Sequence, residues 1–118
     1  EISGLVDTND LVIFRIKGSA DATTIKKIKY KSEFGNQIEN HIFNQDKEKG
    51  LTINDRKNIS TNEQLAFLRT YGVRDYLEKN IADLQKFNVS FEHHIEIFNN
   101  IGGKFRTVSL EIIISKRL

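Results

Sequence analysis

The chain has 118 residues, a net charge of +2 at neutral pH, 38% apolar residues and 29% charged ones, the usage of a single small globular domain able to bury a two-layer core. It contains no cysteine, which excludes a disulfide, a thiolate metal site and a cysteine nucleophile. So mild a basicity excludes a nucleic-acid binder that rests on charge alone, and the longest apolar runs, Leu11 to Phe14 and Ile112 to Ile114, are far short of the ~20 residues a spanning helix needs.

The chain opens at Glu1 with no signal peptide and reads as an excised or processed piece of a longer protein. Leu11 to Lys17 is rich in β-branched and aromatic residues and predicts a strand that ends at Gly18 and runs into a turn. Asp21 follows in a loop, where the commonest use of an aspartate is to bond its own backbone. Between residues 22 and 59, Ile25, Ile28, Tyr30, Phe34, Ile38, Ile42 and Phe43 are scattered among polar residues, a pattern open to a short helix or a β-excursion. Asp46 to Gly50 and Asn54 to Asn58 read as exposed polar loops. Lys26, Lys27, Lys29 and Lys31 surround Tyr30, as in some nucleic-acid binders. The acidic residues that follow favour a solvated face, so no nucleic acid is expected.

Ser60 and Glu63 stand at capping-box spacing and predict a helix from Thr61. Leu65, Ala66, Val73, Leu77 and Ile81 then recur at helical spacings and lay an apolar stripe along one side. Arg69 falls beside that stripe. Its planar donor fork suits a carboxylate, although a packed stem with a solvated head is the commoner use of such an arginine.

From Phe87 to Ile97, and again from Arg106 to Ile114, apolar and polar residues alternate with a period of two, separated by Asn99-Asn-Ile-Gly-Gly103. The natural reading is a β-hairpin. One sheet face covered by the helix gives an α+β, two-layer sandwich. His93 and His94 are adjacent on a strand, point to opposite faces and cannot chelate one ion together, and His41 is alone, so no metal site is expected. With no glycine-rich phosphate loop and no nucleophile elbow, no catalytic residue and no cofactor is expected.

Three segments carry a resemblance. Asn62, Leu65, Arg69, Val73, Tyr76 and Leu77 lie on a pattern that resembles the signature helix of the OmpA-like peptidoglycan-binding domain, with Ala66 for the usual serine and Thr70 for the usual alanine. Leu11 to Asp21 is similar to the family strand that ends in Gly-His-Thr-Asp, with Gly18 and Asp21 kept and Ser19 and Ala20 replacing the middle pair. Phe105 to Ile112 resembles the closing strand. The order is the family's, but only about ten residues precede Leu11, where the family has a further strand and helix, and Asp21 and Arg69 are separated by 69 − 21 = 48 positions, an insertion at about residues 22–59.

The resemblance implies a mixed β-sheet with helices packed on one face. It implies a non-catalytic module that anchors an outer-membrane or envelope protein to peptidoglycan in the periplasm, attached to the membrane only through the rest of its parent and open to homodimerisation. The ligand would be the diaminopimelate of the stem peptide, Asp21 accepting from its ammonium and Arg69 gripping its carboxylate. Asn62 would bridge to the peptide or fix the loop of Asp21, or serve only in capping. Arg106 is a strand-surface charge and a further candidate contact. The alternative is an assembly module of an envelope machine that shares the fold without wall binding.

Overall fold

Alternating apolar residues along Leu11–Ala20 form β1, which occupies an interior position of a five-stranded mixed sheet rather than an edge. The computed structural model describes residues 9–22, 28–45, 47–81, 84–99, 102 and 106–116. Ile25, Lys26, Lys27, Asp46, most of the 99–103 turn and Phe105 lie outside them. The elements that follow β1 are β2 (Ile28–Lys29), β3 (Gln37–Asn44), β4 (Lys47–Asn54), β5 (Asn58–Ile59), α1 (Asn62–Asn80), a 3₁₀ turn at Leu84–Lys86, β6 (Asn88–Ile97) and β7 (Val108–Ser115).

The sheet order is β4-β3-β6-β1-β7, with β2 and β5 forming a separate two-stranded piece. β1 runs parallel to β6 and antiparallel to β7, and β3 runs parallel to β6. The expected β6–β7 hairpin is therefore not formed: β1 lies between the two strands. Parallel neighbours need a long crossover, and α1 supplies it between β1 and β6. The fold is α+β, a mixed sheet with α1, the single α-helix among the described residues, packed on one face, as the sequence implied.

The described residues of the 22–59 segment contain four strands, β2 to β5. Ile38, Ile42 and Ile53 are buried on the helix face. β4 includes Lys47 to Gly50, expected as an exposed loop. Those residues are exposed because β4 is an edge strand, where charges discourage pairing with another chain.

The helix begins one residue later than predicted. Thr61, not Ser60, is the N-cap. Its hydroxyl accepts from the Gln64 backbone N–H at 3.0 Å while the Gln64 side chain accepts from the Thr61 N–H at 3.2 Å. Glu63 instead ties α1 to the sheet, accepting from Asn44 at 3.0 Å and Lys49 at 2.7 Å. Its carboxyl is held below the usual range, chiefly by the bond from Lys49. The buried face of the helix is Ala66, Phe67 and Thr70, offset from the expected stripe.

Two apolar clusters form the core. One joins Ala20, Tyr30, Ile38, Ile42, Ile53, Ile59, Ala66, Phe67 and Ile95; the other gathers Val12, Phe14 and Leu84 with Leu77, Phe91 and Ile114. His93 sits between Phe91 and Ile95 along β6, fully buried. Thr70 Oγ1 donates to the Phe67 carbonyl at 2.7 Å, so its 2.9 Å contact with His93 Nδ1 requires the imidazole N–H to donate. Arg74, whose guanidinium lies over the Phe91 ring at 4.7 Å, then points Nη1 at Nε2 from 3.4 Å.

Candidate functional site

Because β1 and β6 are parallel and joined through α1, the helix runs antiparallel to them and its N-terminal half overhangs their carboxyl ends. In open α/β sheets, which share this parallel crossover, that edge is where ligands bind. Gly18 makes the approach of α1 possible. A Cβ there would lie 2.6 Å from Thr70 Cγ2 and 2.8 Å from the Ala66 carbonyl oxygen. The glycine is thus a notch for the helix, not the strand's end, and β1 continues through Ser19 to Ala20.

Arg69 uses that proximity. Its Nη1 donates to the Ser19 carbonyl at 2.8 Å, which fixes one arm of the fork against the last turn of the strand. Its Nε and Nη2 make no hydrogen bond among the described residues. Two residues beyond Ser19, Asp21 is buried at 4% exposure. One oxygen of its carboxylate, Oδ2, accepts from Arg106 Nε and Nη2, both at 2.9 Å, and from the Gly102 N–H at 3.0 Å. Arg106, 45% exposed in its side chain, precedes β7 and serves as a clasp across the strand ends rather than as an isolated surface charge.

Ser19 completes the arrangement. Its N–H donates to the Thr107 carbonyl at 2.8 Å, the two hydroxyls lie 2.9 Å apart, and the Thr107 N–H donates to the Ser19 hydroxyl at 2.9 Å. This lock holds Arg106 opposite Asp21. Nothing in the sequence singled out Ser19, Thr107 or Gly102. Asn62 opens α1, half-buried, about 10 Å along the axis before Arg69 at 1.5 Å per residue.

Of the four residues expected at the site, the fold thus brings Asp21, Arg69 and Arg106 to the carboxyl end of β1 and leaves Asn62 further along the same overhang. The result is two guanidiniums and one carboxylate, an electrostatic surplus for an anion. Asp21 does not face solvent, and its Oδ2 is already engaged.

Tyr30, a candidate stacking residue, is buried, donates to the Gly35 carbonyl at 2.7 Å and accepts from the Phe34 N–H at 3.0 Å; burial pushes its hydroxyl's pKa up. It offers no face to a base. His93 and His94 do lie on opposite faces, and among the described residues no group of three histidine or carboxylate side chains has metal-site spacing. No helix among them is long and apolar enough to cross a membrane. Compared with models of known families, with curated proteins and with solved structures, the chain matches none.

Proposed function

We propose that the chain is a non-catalytic peptidoglycan-binding module of the OmpA-like type, working in the periplasm to anchor an envelope protein to the cell wall. The observation that carries this reading is the convergence of Asp21, Arg69 and Arg106 at one strand end, although they are 48 and 85 positions apart in sequence. The ligand is the stem peptide, gripped first by its carboxylate. Arg69 presents the rest of its fork to that group, and Arg106, half-exposed while clasping Asp21, adds a second cationic contact. The ligand's ammonium approaches Asp21 by sharing the carboxylate with Arg106. Asn62 lies where the peptide would continue along the helix overhang.

Sedimentation with diaminopimelate-type peptidoglycan tests this. The wild-type chain should pellet, free diaminopimelate should release it, and Arg69→Ala should weaken pelleting by about tenfold or more, the worth of a charged hydrogen bond, while Lys86→Ala pellets like wild type. Pelleting indifferent to Arg69→Ala and to free diaminopimelate would refute the assignment.

A second reading, an assembly module of an envelope machine with no wall contact, is favoured by one observation: Asp21 is buried and already clasped by Arg106 and the Gly102 N–H. Absence of pelleting by a folded wild-type chain would select it.

A further inference from the structure

The sheet face away from α1 carries a different constellation. Residues directly opposite one another in register share a face, so Phe43 on β3, His94 on β6, Lys17 on β1 and Ser109 on β7 form one row across four strands. The next row toward the strands' carboxyl ends holds Glu96 opposite Ser19. A cavity of about 420 Å³ opens here, lined by Lys17, Phe43, His94, Glu96, Phe98 and Ser109 among others. Asp21, Arg69 and Arg106 do not line it.

Three properties of this cavity point to one kind of occupant. Its wall is aromatic: Phe43 and His94 stack with centroids 4.8 Å apart and planes within 16°, and His94 is braced by Glu92 at 2.9 Å. Its rim carries one cation and one anion, Lys17 and Glu96, both exposed and neither in an ion pair among the described residues. That contrasts with the row on the other side, where Arg15 is paired with both Glu92 and Glu111 at 3.1 Å. Finally, Lys17 and Glu96 are diagonal neighbours, one strand across and two residues along, roughly 8 Å apart at the backbone. Long side chains can meet across such a diagonal, yet among the described residues these two do not pair, and a gap is left between their charged ends. An α-amino acid, with a hydrogen bond at each end of its zwitterion, spans it.

The geometry points to a binding site for a zwitterionic amino acid with an apolar side chain. The carboxylate meets Lys17, the ammonium meets Glu96, and the side chain lies against Phe43, His94 and Phe98. The cavity is within the size range of small-molecule sites, and the assignment is independent of wall binding.

Amide NMR titration with L-phenylalanine tests it, with L-phenylalaninamide and N-acetyl-L-phenylalanine as partners that lack one charge each. L-Phenylalanine should produce saturable shifts at Ser19, Ile95 and Ser109. Each one-charge analogue should bind about tenfold or more weaker. Lys17→Met should erase the preference over the amide while keeping that over the N-acetyl form, and Glu96→Gln the reverse. Both side chains are exposed, so the variants keep the fold. Absence of saturable shifts, equal binding of all three compounds, or variants that keep both preferences would overturn the proposal.

Discussion

At Gly18 a single hydrogen atom decides how close the helix comes to the strand. Alanine there would push its methyl against Thr70 Cγ2 and the Ala66 carbonyl oxygen, an overpacking that costs about 1–3 kcal/mol. Urea denaturation should show this loss for Gly18→Ala, and Thr70→Ser in the same chain, which removes one of the two colliding groups and keeps the hydroxyl for His93, should recover part of it. Unchanged stability in Gly18→Ala would disprove the notch. His93 gives a second expectation. Burial, with Arg74 and His94 adding to it, pushes its pKa from 6.5 down to about 4. Between those values the unfolded chain binds a proton that the folded chain refuses, so the contribution of His93 to stability falls as pH drops from about 6.5 to about 4 and changes no further below. The loss is on the order of 3 kcal/mol. The His93 ring resonances should accordingly stay in the neutral form down to about pH 5; titration near 6.5 in the folded protein would contradict the hydrogen-bond assignment.

Among the elements, α1 separates two capping schemes one residue apart. The Thr61 hydroxyl caps the helix, so Thr61→Ala should cost about 1 kcal/mol, whereas Ser60→Ala, whose hydroxyl stands 3.5 Å from Gln64, should fall within about 0.5 kcal/mol of wild type. Equal effects, measured by thermal or urea unfolding, would refute the assignment. The sequence placed this helix because caps and 3.6-residue spacing are local signals, and it placed β1, β6 and β7 because alternation is local too. Pairing is not local: nothing along 87–114 records that β1 enters between the two strands. β4 escaped notice for the opposite reason, since both faces of Lys47–Gly50 are exposed and an edge strand in water carries the charges of a loop. The site shows the same division. Asp21 and Arg69 were readable through a resemblance of short motifs, while the Arg106 clasp and the Ser19–Thr107 lock depend on a register joining residues 85 and 88 positions apart.

Across the whole molecule, long-range pairing dominates. Apart from α1 and the β3–β4 hairpin, the sheet is assembled from strands far apart in sequence, and folds of that kind close slowly because loop entropy is lost before contacts reward it. Stopped-flow refolding should therefore fall in the millisecond-to-second range typical of such topologies; microsecond refolding would mean that β1 pairs late and contributes little to the barrier. The edge strand β7 leaves Val108, Leu110 and Ile112 at 44%, 39% and 46% exposure, beyond the cover of α1. These positions tolerate polar replacement far better than Val12, Phe14 or Ile16.

The interior place of β1 sets a timetable for biosynthesis. Val12 faces Ile114 across the sheet, so during translation the apolar side of the first strand emerges about a hundred residues ahead of its last neighbour. At the usual pace of a ribosome that is an interval on the order of 5–20 s. For most of it Val12, Phe14 and Ile16 have no partner strand: Val89, opposite Val12 on β6, follows 89 − 12 = 77 residues behind, and the antiparallel side of β1 stays open until β7 has been added.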